Sequence, residues 1–134
     1  MAMSNGQPRI YLVEDSPIIL NLLIELIQAT GGNIVGHSDS AQAAVSEIDA
    51  LHPDVITVDI LLKNGSGFDV LKKIAEAGDP PVRIVLTNYT MPAYREAAQR
   101  LGAEYFFDKA TEIREVLTVL ASTMRNSNGG AVAA

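Results

Sequence analysis

The sequence contains no cysteine, which excludes disulfides, thiolate metal ligation and thiol nucleophiles together. Its only histidines, His37 and His52, sit in separate segments. Neither an imidazole zinc site nor a Ser/His/Asp triad is therefore expected. Basic residues are few: 10 against 16 acidic ones, a net charge of −6, with Lys72-Lys73 the longest basic run. The basic stripe of a direct nucleic-acid binder is missing. No apolar run approaches the ~18 residues of a membrane span. MAMSNGQP at the N-terminus has neither the charged nor the apolar region of a secretory signal. The expectation is a soluble protein of a reducing compartment, the cytoplasm.

What is present suits one globular domain. With 134 residues, 48% hydrophobic and 19% charged, the chain is long enough to bury a core and too short for two ordinary domains. Residues 1–8 and 125–134 (RNSNGGAVAA) are small and polar and are expected to be disordered, leaving a domain over 9–124. Within it, Val- and Ile-rich runs alternate with segments of helical period. The runs are Arg9–Val13, Asn33–His37, Asp54–Val58, Val82–Leu86 and Glu104–Phe107. Each is short, almost continuously apolar and bounded by Gly, Pro, Asn or Asp, the pattern of strands buried on both faces.

Five helices are expected between and after them. Ser16-Pro17 opens the first and Gly31-Gly32 closes it. The second runs from Ser40 to Leu51 before His52-Pro53, the third from Ser66 to Ala77, and the fourth from about Met91 to Leu101. Thr111 is expected to cap the fifth, with Ile113, Val116, Leu117, Leu120 and Met124 along one face. Strict β/α alternation implies parallel strands, right-handed crossovers and helices on both faces. The expected fold is a doubly wound five-stranded parallel sheet of order 2-1-3-4-5, a flavodoxin-like three-layer sandwich.

In such folds ligands bind beyond the carboxyl ends of the strands, near the point where strand order reverses. The residues at those ends are Glu14 and Asp15 after the first strand, Asp59 after the third, Thr87 at the fourth and Lys109 after the fifth. Two carboxylates ~4 Å apart repel by roughly 1 kcal/mol in water and ~4 kcal/mol at an effective dielectric of 20. Three carboxylates and one ammonium leave a formal −2, which one divalent cation neutralises. Oxygen ligands suit Mg²⁺, Mn²⁺ or Ca²⁺. Beside such an ion a carboxylate can act as a nucleophile toward phosphorus, and Asp59, held mid-rim, is best placed. Lys109 and the Thr87 hydroxyl would then serve phosphoryl oxygens.

With Glu14-Asp15, VDILLKNGSGFDVL around Asp59, LTN carrying Thr87 and FFDKATE carrying Lys109, the sequence resembles a receiver domain of the bacterial response-regulator family. The stations fall in family order over about residues 9 to 124, and their joint pattern is specific although each motif alone is weak. The resemblance implies that Asp59 accepts a phosphoryl group from a phosphohistidine in a sensor histidine kinase or histidine phosphotransfer protein. It implies that Glu14, Asp15, Asp59 and the Leu61 carbonyl hold Mg²⁺, with Mn²⁺ an alternative, and that Lys109 pairs with the phosphoryl group. It implies that Thr87 moves toward that group and lets Phe106 turn inward. The face of the fourth helix, fifth strand and fifth helix is thereby repacked for a downstream protein target. The chain is then a signalling module rather than a metabolic enzyme, a monomer or a dimer formed on phosphorylation.

Some positions depart from the family's commonest pattern: Asn88 after Thr87, Ala110 after Lys109, Lys63 in the loop after Asp59, and Phe106 without a hydroxyl. Taken singly, each station also has a bland reading: a solvated turn for Glu14-Asp15, a helix cap for Asp59, a strand residue for Thr87, a surface lysine for Lys109. Asn64-Gly65-Ser66-Gly67 lacks P-loop spacing and reads as a turn into the third helix. The first helix carries more apolar residues, from Ile18 to Ile27, than one core face needs. Either the first and fifth helices shield each other, or an apolar patch is left for docking or dimerisation. Three rival functions remain: a receiver cut from a longer DNA-binding regulator, an aspartyl phosphohydrolase, and a flavin carrier. The phosphohydrolase would have a second Asp where Leu61 stands, and the flavin carrier's phosphate would be repelled by Glu14 and Asp15.

Overall fold

A computed structural model of the protein describes residues 7–123. Most of the terminal stretches expected to be disordered, and Met124, lie outside the described residues. The elements are β1 (Arg9–Val13), α1 (Pro17–Ala29), β2 (Asn33–Ser38), α2 (Ala41–Leu51), β3 (Val55–Val58), α3 (Gly67–Ala75), β4 (Val82–Thr87), α4 (Pro92–Arg100) and β5 (Tyr105–Asp108). A final helix, α5, is described over residues 115–123. The five strands form one sheet of order β2-β1-β3-β4-β5 with every pairing parallel, as the alternation predicts.

Three serines start helices where the sequence places them. Ser16, Ser40 and Ser66 are extended, and each hydroxyl accepts from a backbone N–H three residues on. Ser66 and Asp69 complete a reciprocal capping box. The fifth helix departs from expectation: Thr111 does not cap it. The Asp108 carboxylate accepts the Ala110 N–H (2.8 Å), and the Glu112 carboxylate accepts the Asp108 N–H (2.8 Å). These local bonds accompany turns at residues 109–111 and 113–114, side-chain partners offering the backbone an alternative to helix. The helix begins only at Glu115.

Side chains alternate across the sheet. Ile10, Leu12, Val55, Ile84 and Leu86 meet Leu23 and Ile27 of α1 and Val116, Val119 and Leu120 of α5. On the other face Tyr11, Val13, Ile56 and Val58 meet α2 and α3, while Val85 and Phe106 meet Leu71 and Ala98. Burying each such Leu or Ile contributes about 1.5–3 kcal/mol. Only β3 is buried at every residue; β1 and β4 begin half-buried and are buried from there on. In β2, read from sequence as buried on both faces, Asn33 and His37 are exposed, because an edge strand has a neighbour on one side only.

Candidate functional site

Hydrogen bonding continues one residue past β1, β3 and β5 and so delivers the site. Glu14 N–H donates to Ser38 O (2.9 Å), Asp59 N–H to Val13 O (3.0 Å) and Lys109 N–H to Thr87 O (2.9 Å). Glu14, Asp59, Thr87 and Lys109 thus lie at the carboxyl rim, and all four are buried. Asp15 is partly exposed.

The Lys109 ammonium donates to Glu14 Oε2 (2.9 Å) and Asp59 Oδ2 (2.5 Å). Glu14 Oε2 also accepts the Ser16 N–H at 3.0 Å, tying the acidic pair to the start of α1. Burial raises the Glu14 carboxyl above the usual glutamate value, although its bonds to Lys109 and Ser16 oppose the rise. Burial would lower the Lys109 ammonium, but hydrogen bonds to Asp59 and Glu14 outweigh it and raise the group above the usual lysine value. Asp59 Oδ1 is buried without a hydrogen-bond partner. Glu14, Asp15 and Asp59 each offer an oxygen within 4.8 Å of the others. Three carboxylates against one ammonium, with one carboxylate oxygen uncommitted, fit a hard divalent cation that takes oxygen ligands.

Leu61, two residues beyond Asp59, pairs in a backbone bridge with Ser66, and its side chain is exposed. The loop between them is drawn tight: Gly67 N–H donates to Ile60 O at 2.7 Å, and a Cβ on Gly67 would run into the Asp59 carbonyl. Composition alone reads Gly67 as a turn residue. Its requirement here is the close approach of α3 to the backbone of Asp59, which no local signal marks.

Thr87 shares the rim, but its hydroxyl accepts the Tyr89 N–H (3.2 Å). Asn88 is exposed. Phe106, expected to turn inward on switching, is already buried, and the Arg95 guanidinium lies 4.5 Å over its ring. His52 is exposed and apart from the rim, whereas His37, also exposed, lines a cleft with Glu14 and Asp15. In α1, Ile19, Leu20 and Ile24 pack against the core shared with α5, while Ile18 and Leu22 remain exposed.

A doubly wound parallel sheet with an acidic pair, a central aspartate and a lysine at its carboxyl rim defines a class of signalling domain. The chain belongs to the response regulator receiver domain family, whose model matches residues 10–121. Among curated relatives, the transcriptional regulatory protein TrcR of Mycobacterium tuberculosis is 27% identical over 127 residues, covering 93% of this chain and 49% of that protein. A protein-glutamate methylesterase/protein-glutamine glutaminase of Koribacter versatilis is 30% identical over 107 residues, 78% of this chain and 29% of that protein. The chain thus spans about half or less of these relatives' length. Among solved structures, the response regulator domain of Thermotoga maritima CheB is 29% identical with a TM-score of 0.77, covering 90% of this chain and 96% of that one. No helix among the described residues is long and apolar enough to cross a membrane.

Proposed function

We propose that the chain is a phosphorylatable receiver of a two-component or phosphorelay system, with Asp59 as the phosphoacceptor. The observation that carries this reading is the state of Asp59: one carboxylate oxygen is held by Lys109, and the other is buried and unpartnered beside Glu14 and Asp15. An oxygen of Asp59 attacks the phosphorus of a phosphohistidine. The P–N bond breaks, and the imidazole leaves with the electron pair and is protonated by solvent. Lys109, already on the acceptor carboxylate, stabilises charge on the transferred phosphoryl group, and the Thr87 hydroxyl donates to one of its oxygens. Glu14, Asp15, Asp59 and the Leu61 carbonyl would hold Mg²⁺ or Mn²⁺, which supplies positive charge to the phosphoryl oxygens. Hydrolysis of the acyl phosphate later restores Asp59.

The donor in this reading is a sensor histidine kinase or a histidine phosphotransfer protein in the cytoplasm. The recipient of the signal is a protein docking on α4, β5 and α5. A second reading, favoured by the greater length of TrcR and its name as a transcriptional regulatory protein, makes the chain the receiver part of a longer DNA-binding regulator. The size of the native gene product decides between them.

Intact mass after incubation with phosphoramidate, with and without Mg²⁺, tests the core of the proposal. The expected result is a Mg²⁺-dependent gain of one phosphoryl group that Asp59→Asn abolishes. No gain from phosphoramidate or from a phosphorylated histidine phosphotransfer domain overturns it.

A further inference from the structure

We propose that Tyr89, paired with Tyr94 of α4, transmits the state of the Thr87 hydroxyl to α4, while Arg95 keeps Phe106 fixed in the core. The inference rests on the reading above in one respect, that Thr87 is the group drawn to a phosphoryl oxygen on Asp59.

Phe106 is poorly placed to move. It is buried, packed with Ile60, Leu71, Val85 and Ala98. Arg95 clamps it twice, with the guanidinium 4.5 Å over the ring and an N–H donated to the Phe106 carbonyl at 3.3 Å. Turning the ring out would break that stack and leave a void in a close-packed cluster.

Tyr89 is placed to respond. The residue is 42% exposed, and its backbone N–H is held by the Thr87 hydroxyl. The ring meets Tyr94 edge-on, centroids 6.1 Å apart at 86°, and Tyr94 in turn leans on Phe68 of α3 at 6.3 Å. The side chain of a threonine occupies discrete rotamers. A hydroxyl drawn to a new acceptor therefore either carries the Tyr89 amide with it or gives it up, and the Tyr89 ring shifts on Tyr94 in both cases. Met91, at the N-cap of α4, makes no side-chain capping bond, so tertiary contacts, the Tyr89–Tyr94 pair and the Arg95 clamp on Phe106, set the position of that helix end.

The test is ¹⁹F NMR on protein containing 3-fluorotyrosine, with Tyr11, Tyr89, Tyr94 and Tyr105 assigned by single Tyr→Phe substitutions, and on a second sample containing 4-fluorophenylalanine. Spectra are taken before and after phosphoramidate with Mg²⁺, with intact mass measured on the same tube, and on unphosphorylated Thr87→Val and Thr87→Ser. The expected result is that the Tyr89 and Tyr94 signals move on phosphorylation and in Thr87→Val, return in Thr87→Ser, and that Phe106 stays in place on phosphorylation. Unmoved Tyr89 and Tyr94 signals in Thr87→Val overturn the proposal, as does a Phe106 signal that moves while Tyr89 and Tyr94 stay still in protein shown by mass to be phosphorylated. Absence of a mass gain counts against Asp59 as phosphoacceptor and leaves Thr87→Val to decide the coupling.

Discussion

Lys109 and Asp59, separated by 50 positions in the chain, are joined by a buried 2.5 Å ion pair in which the same ammonium also holds Glu14. One cation thereby serves two buried carboxylates, and the balance of charge at the rim depends on it.

Replacing Lys109 by Met leaves those carboxylates without their counter-charge. Losing one partner of a buried pair costs about 3–5 kcal/mol, and urea unfolding of Lys109→Met without divalent cation is expected to show a loss of that order. Adding Asp59→Asn to the variant removes one of the stranded charges and recovers part of the loss. Equal stability of Lys109→Met and the wild type would contradict the buried pair.

Glu14 yields a pH dependence. Its carboxyl is raised by burial despite Lys109 and Ser16, so the folded chain binds this proton more tightly than the unfolded chain. The contribution to stability is therefore present in full below the ordinary glutamate value of about 4.3, and it is lost as pH rises through the raised folded value. Glu14→Gln, which mimics the protonated form, is expected to gain stability relative to the wild type as pH rises across that window in metal-free buffer. Mg²⁺ should stabilise the wild type by about 2.7 kcal/mol at one hundred times its dissociation constant and Glu14→Gln by less. Thermal melts across a pH series with and without Mg²⁺ measure both effects.

Thr57 lies beneath the site on β3 with its hydroxyl buried and unpartnered. Valine has the same shape without the unmet polar group, whose burial costs about 1–3 kcal/mol. Thr57→Val is therefore expected to raise stability in urea unfolding and to leave phosphorylation of Asp59 unchanged. A loss of stability would mean that the hydroxyl has a partner in solution, such as an internal water.

Gly67→Ala presses a methyl group on the Asp59 carbonyl and the Val58 side chain. Overpacking of this kind costs about 1–3 kcal/mol. Because the pressed atoms belong to the strand end that bears Asp59, the rate of phosphorylation from phosphoramidate should fall as well. An alanine variant with wild-type melting and rate would show that the loop relaxes freely.

Residue order alone determined a great deal here. Apolar runs such as Arg9–Val13 and Val82–Leu86, and the serine caps at 16, 40 and 66, are local signals, because strand burial and helix starts are satisfied within a few residues. Strict alternation then constrained the topology, and the topology named Glu14, Asp15, Asp59, Thr87 and Lys109 as rim residues. Other features were decided only when distant segments met. Folding selected the Asp59 oxygen that Lys109 holds, the contact of Gly67 with the Asp59 backbone, and the seat of Phe106 under Arg95. It also left β2 at an edge, and the competing bonds of Asp108 and Glu112 delayed α5. Periodicity and capping are properties of neighbours along the chain. Ion pairs, close backbone approach and ring stacking are properties of neighbours in space, and these set the chemistry of the rim.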